Sequence, residues 1–352
     1  MSMYSWLRPL LFRFDAEAAH HLGLWGLGLA DTAPSLAKRL RARVRPDRPT
    51  LRVNVGGVEW PNPVGLAAGL DKNAEALVGL FSLGFGALEV GTVTPRAQPG
   101  NDQPRLFRLP EHQAIINRMG FNNLGMQAMA ARLRELAWRP APIGVNLGKN
   151  KDTPLERATD DYVETARALG PLSDYLVVNL SSPNTPGLRT LQDPQVLEGL
   201  LTATRAAANG KPLFLKIAPD LEDEAIDAVV DVAKSCGLSG LICTNTTLAR
   251  PVDHPLAKEA GGFSGKPLME RSTQVLRRAY QRGSGLPLIG VGGICSGDDA
   301  WAKICAGASA VQLYSGFIFR GPELVREVLD TLEERVTQLG LKSIADAVGM
   351  DA

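Results

Sequence analysis

Eight short, nearly apolar runs recur along this chain, each ending in a polar or glycine-rich turn that leads into a helical stretch. They occupy residues 64–67, 87–90, 143–146, 175–179, 213–217, 240–244, 287–291 and 310–313. Uninterrupted apolar runs of this length, alternating with helices, mark strands buried on both faces of a parallel sheet. Eight such β-α units predict an α/β chain closed into a (β/α)8 TIM barrel, with an open doubly wound sheet as the structural rival. Between the runs, helices are legible at 160–169, at 223–235 with Asp223 as N-cap, at 272–280, and at 322–339 with Pro322 in the first turn.

A barrel gathers the C-terminal ends of its strands at one mouth, where barrel enzymes work. Here those ends carry Asp71 and Lys72, Thr92, Asn146, Asn179 and Ser182, Lys216, Thr244 and Asn245, Gly292 and Gly293, and Tyr314 and Ser315. Helix capping alone accounts poorly for two lysines and this set of Asn and Thr, so a ligand pocket is predicted. Its densest part is Asn179-Leu180-Ser181-Ser182-Pro183-Asn184-Thr185-Pro186-Gly187. Amides both donate and accept, which suits a planar polar ligand, and prolines lower the entropy lost in ordering a loop. An ordinary turn draws on the same residue types. Glycine-rich turns at 261–265, 290–294 and 314–316 let main-chain N–H groups approach a phosphate closely.

With 45% apolar and 21% charged residues, the chain has material for a core, and its net charge of +1 gives no electrostatic case for nucleic acid. Four cysteines without metal-ligand spacing point to no metal; Cys243 and Cys305 read as small core residues of a reducing compartment. No apolar stretch reaches the roughly 18 residues of a membrane-spanning helix.

The first 45 residues differ from the rest. Leu7, Leu10, Leu11 and Phe14 share one helical face, and Asp15 can cap a second helix carrying Ala19, Leu22, Trp25 and Leu29, which Pro34 ends. Such a pair reads either as an interfacial element on a bilayer or as a hairpin capping the barrel. The basic run Lys38, Arg39, Arg41, Arg43 and Arg45 then attracts anionic lipid or forms a solvated linker. Residues 51–60 read as a hairpin turning at Gly56-Gly57 that plugs the barrel bottom, and 95–123 as a loop over its mouth.

Several motifs together resemble one family. They are Ala67-Ala68-Gly69-Leu70-Asp71-Lys72, Glu89-Val90-Gly91-Thr92-Val93-Thr94-Pro95, Asn117-Arg118-Met119-Gly120-Phe121-Asn122-Asn123, the 179–187 loop, Lys216, Thr244-Asn245-Thr246-Thr247 and the two phosphate-loop runs. In this order, over nearly the whole chain, they resemble the dihydroorotate dehydrogenases, in particular the quinone-linked, membrane-associated class 2. The resemblance implies oxidation of (S)-dihydroorotate to orotate in pyrimidine synthesis, with FMN as cofactor and a membrane quinone as final acceptor. It implies a helical membrane and quinone-tunnel segment at 1–45 and an FMN-binding barrel at 46–352. It further implies a monomer peripheral to the cytoplasmic face of a bacterial inner membrane.

The resemblance also assigns residues. FMN falls to Ala68, Gly69, Leu70, Asp71, Lys72, Thr92, Asn146, Asn179, Lys216, Thr244, Gly265, Gly293, Tyr314 and Ser315. Substrate falls to Lys72, Asn117, Arg118, Met119, Gly120, Phe121, Asn179, Asn184, Asn245 and Thr246. Ser182 is the implied base, and His20, Arg108 and Tyr314 line the quinone tunnel. The chemistry agrees: the substrate must lose a proton from C5 and a hydride from C6, so a base has to face the reacting ring. Lys216 suits negative charge on the reduced cofactor. Lys72 suits the substrate carboxylate. Serine is a weak base that needs help from its surroundings; Ser181 or Thr185 could relay its proton. The soluble class of the family, which carries cysteine at this position and reduces fumarate or a nicotinamide, is the rival reading.

Overall fold

The computed structural model describes residues 3–44, 47–185 and 187–352; Arg45 and Pro186 lie outside the described residues. Eight parallel strands close into a barrel in chain order, the last pairing back onto the first. They are β1 (Val64–Leu66), β2 (Ala87–Val93), β3 (Ile143–Leu147), β4 (Tyr175–Asn179), β5 (Leu213–Ile217), β6 (Gly240–Cys243), β7 (Leu288–Val291) and β8 (Ala310–Leu313). Every residue of these strands is buried, because side chains inside the barrel pack on one another and those outside pack under helices. The fold is the expected TIM barrel.

The outer helices use narrow apolar stripes. In Asp223–Ser235, Ile226, Val229, Val230 and Ala233 are buried, a spacing that keeps one face inward. Glu222, not Asp223, holds its cap position, and no side chain caps it. The other predicted helices run Ala158–Leu169, Met269–Gly283 and Glu323–Gln338.

The barrel floor is sealed by the hairpin Val53–Val55/Val58–Trp60. Its turn needs glycine: Gly56 has φ +59°, and a Cβ there would lie 2.3 Å from the Ser239 carbonyl oxygen. Trp60 stacks on Tyr175 at 6.2 Å, and Tyr175 meets Phe214 edge-on at 5.5 Å.

Three helices precede the barrel, where two were expected: α1 (Met3–Leu11), α2 (Ala16–Gly28) and α3 (Pro34–Val44). Asp15 caps α2 by accepting the N–H groups of Glu17 and Ala18. Pro34 does not end the second helix but opens the third, because a first-turn N–H has no acceptor within the helix and proline loses nothing by lacking one. The basic run up to Arg43 therefore rides on a helix instead of a linker. Arg41 turns inward and donates to the main-chain oxygens of Phe81 (2.6 Å) and Phe85 (3.1 Å), so it is not a lipid-facing charge.

Residues 95–123 are more ordered than a simple loop. Leu106–Leu109 and Ala114–Asn117 form an antiparallel hairpin, and Gly262–Gly265, from the turn after β6, adds a third strand.

Candidate active site

At the C-terminal mouth of the barrel a single cavity gathers residues from all along the chain. Its wall includes Ala68, Gly69, Lys72, Thr92, Asn117, Met119, Gly120, Phe121, Asn179, Ser182, Asn184, Lys216, Thr244, Asn245, Thr246, Gly265, Gly293, Tyr314 and Ser315. Four of the residues assigned to cofactor or substrate lie elsewhere. Leu70 faces a second cavity. The Asp71 carboxylate accepts the N–H groups of Glu75 (2.8 Å) and Ala76 (2.9 Å), holding the turn after β1. Arg118 points outward to pair with Glu259 at 2.6 Å and lies over the Phe107 ring. Asn146 is fully buried behind the wall.

Hydrogen bonds cross-link the polar residues of this wall. Thr92 Oγ1 donates to Asn146 Oδ1 (2.5 Å), and Asn179 Nδ2 donates to both Thr92 Oγ1 (3.0 Å) and Asn146 Oδ1 (3.1 Å). Asn245 Nδ2 donates to Asn179 Oδ1 (3.2 Å) and Ser181 Oγ (3.0 Å). Asn184 Nδ2 donates to Asn117 Oδ1 (3.2 Å). Amides locked in this way present fixed donors and acceptors to a bound ring. Ser182 is 6% exposed, and its Oγ accepts the Asn184 N–H at 3.3 Å.

Two ammonium groups face the cavity, Lys216 buried and Lys72 half-buried. Lys216 makes no hydrogen bond to a described residue; the nearest carboxylate is Glu89, at 4.0 Å. Burial pushes its pKa down, against the pull of Glu89. Burial also brings the Lys72 pKa down to about 8, with Glu17 the main opposing influence.

At the far end of the cavity the main chain itself forms the wall. Gly265 and Gly293 have positive φ, and a Cβ on either would come within 2.4 Å of Gln113 or Met269. Ser264 and Ser315 hydroxyls meet there at 2.8 Å. The second cavity is lined mainly by apolar residues of α1, α2 and the hairpin, with Tyr4, His20, Arg108 and Tyr314. Burial brings His20 down to about 3, so its imidazole is neutral. Arg108 lies over the Phe12 ring at 4.6 Å and donates to the main-chain oxygen of Phe14. Tyr314 borders both cavities.

The dihydroorotate dehydrogenase family profile matches residues 50–336. The chain belongs to the dihydroorotate dehydrogenase family. It is 56% identical to the dihydroorotate dehydrogenase (quinone) of Myxococcus xanthus, over 99% of this chain and 98% of that one. It is 53% identical to the enzyme of the same name from Flavobacterium lutescens, over 95% and 97%. A crystal structure of DHODH from Eimeria tenella in complex with ferulenol superposes with a TM-score of 0.86, at 40% identity and 96% coverage of each chain. The two bacterial relatives carry the quinone-linked name, and the soluble class is not favoured. The residues present fit a flavin: a bare main-chain cradle suits its phosphate, and a buried ammonium with unused donors suits an electron-rich ring.

Two polar residues of this dihydroorotate dehydrogenase site escaped the sequence reading. Gln312 lines the cavity, and Glu89 lies fully buried beneath it. A charged residue inside a strand that must be buried, as Glu89 is in β2, was the available signal.

Proposed function

We propose that this chain oxidises (S)-dihydroorotate to orotate with bound FMN, passing the electrons to a membrane quinone as a step of pyrimidine (UMP) synthesis. One observation carries this reading: Ser182, Lys216 and a set of cross-bonded asparagines share one cavity, and Tyr314 borders both it and an apolar one. FMN supplies a two-electron acceptor that a quinone can reoxidise. Gly265, Gly293 and Ser315 hold its phosphate, and Ala68, Gly69, Thr92 and Thr244 border its ring and ribityl chain. Lys216 favours negative charge on the ring.

Lys72 binds the substrate carboxylate, and Asn117, Asn179, Asn184 and Asn245 orient the pyrimidine. Ser182 Oγ takes the C5 proton. The Asn184 N–H that bonds this oxygen favours the charge developing on it. The Ser181 hydroxyl is occupied by Asn179 and Asn245. The Thr185 side chain bonds no described residue, which leaves it to pass the proton onward. The sheet formed by 106–117 and 262–265 excludes water above.

Exposed apolar side chains on α1 to α3, with Trp6 73% and Trp25 64% exposed, support docking of the N-terminal helices on the cytoplasmic face of a bacterial inner membrane. No described helix is long and apolar enough to cross one. The reading is tested with the purified protein under anaerobic conditions. Dihydroorotate should bleach a bound flavin, and a short-chain quinone, but not fumarate, should restore the colour. A protein that holds no flavin, or a flavin that dihydroorotate leaves oxidised, overturns the proposal.

A further inference from the structure

The unexplained feature of the site is a carboxylate at the centre of the barrel. Glu89 is 0% exposed and is the one charged residue of a fully buried strand. An ionised carboxylate is retained there only if its oxygens are satisfied. Two of its partners, Lys216 and Gln312, line the cavity, and the third, Asn146, lies behind its wall. Oε1 accepts Asn146 Nδ2 at 2.8 Å and lies 4.0 Å from Lys216 Nζ. Oε2 accepts Gln312 Nε2 at 2.7 Å.

Each of these contacts fixes something the ligand meets. With its NH2 on Glu89, Asn146 must turn Oδ1 toward Thr92 and Asn179. Gln312 likewise turns its Oε1 away, where it finds no partner among the described residues. Lys216, which points no hydrogen bond at any described residue, has Glu89 as its one close counter-charge among them. The field beneath the cavity is therefore that of an ion pair, and a group gaining electrons there meets a cation already partly offset.

We propose that Glu89 is a positioning residue that sets the reduction potential of the cofactor by offsetting the charge of Lys216. This rests on the flavin reading above. Removing the negative member of the pair leaves Lys216 uncompensated and favours the reduced, negatively charged ring, so the potential rises. Glu89→Gln is the natural probe because the barrel can absorb it. The new amide can donate to Gln312 Oε1 once that side chain rotates, using the acceptor that is now idle.

The test is a spectroelectrochemical titration of the FMN-loaded enzyme. Glu89→Gln is expected to shift the midpoint potential upward, and Glu89→Asp, which keeps the charge, to stay near wild type. An unchanged or lowered potential in Glu89→Gln with FMN bound overturns the inference, whereas absence of flavin from the wild-type protein overturns the function instead. Should Glu89→Gln fail to fold, the paired variant Glu89→Gln/Lys216→Met, which buries no unpaired charge, is expected to fold again. A double variant no better than the single one also overturns the pairing.

Discussion

The Tyr314 phenol donates a hydrogen bond to the Gly69 main-chain oxygen at 3.3 Å, and its ring borders both the polar cavity and the apolar one. Gly69 has φ +104°, and a Cβ on it would sit 3.2 Å from Tyr314 Cε2. Gly69→Ala therefore strains the turn and presses on the shared wall. A loss of about 1–2 kcal/mol of stability is expected, with less flavin per protein, read by thermal unfolding and absorbance.

The proposed base, Ser182 Oγ, accepts one main-chain N–H, from Asn184. Ser182→Ala should slow flavin bleaching by dihydroorotate by about 10²–10⁴-fold while leaving FMN content unchanged. Near-normal bleaching would remove Ser182 from the reaction.

Lys72 is a cation below about pH 8 and neutral above it, because burial disfavours its charged form. Substrate capture by its carboxylate then weakens as pH rises. The pH profile of kcat/KM for dihydroorotate, which reports the free enzyme, should fall on an alkaline limb near 8. In Lys72→Met that limb should vanish and KM should rise; an identical limb in the variant assigns it to another group.

Lys303 is buried behind the phosphate end, donating to Ser272 Oγ at 2.6 Å, and burial lowers its pKa to about 7 from 10.5. Between those values the unfolded chain binds the extra proton. The contribution of this group to stability therefore rises with pH across that window. Denaturant titrations at several pH values should show a shallower rise, or a steeper decline, for Lys303→Met than for wild type. Parallel curves would mean Lys303 is not depressed in the folded state.

Trp6 and Trp25 stand on the exposed side of α1 and α2. Replacing both by serine should reduce co-sedimentation with anionic phospholipid vesicles and leave dihydroorotate-driven bleaching intact. Retained vesicle binding would place the membrane contact elsewhere.

The barrel was legible because parallel strands buried on both faces must be continuously apolar, and all eight runs fall on its strands. The cavity was legible because barrel geometry brings strand ends together, which put Ser182, Lys216 and Tyr314 on one wall. What escaped depended on contacts between distant segments. Asp71 looks like a ligand until its carboxylate is seen holding two N–H groups of its own turn. Pro34 serves equally as a stop and a start, and only the following turn decides. Arg41 reads as one charge in a basic run, because the carbonyls it meets, of Phe81 and Phe85, lie forty residues and more onward. Leu70 and Lys72 are two residues apart yet face different cavities, a division set by where α2 crosses the barrel.

The inward Arg41 has a mechanical consequence. Its guanidinium rivets α3 to the carbonyls of Phe81 and Phe85, while Tyr4 and Arg8 fasten α1 to those of Ile318 and Phe319. The oily helices are thus not a hinged tether. Whatever surface receives them receives the catalytic body at one set tilt, with the greasy passage beside Tyr314 aimed the same way in every molecule that lands.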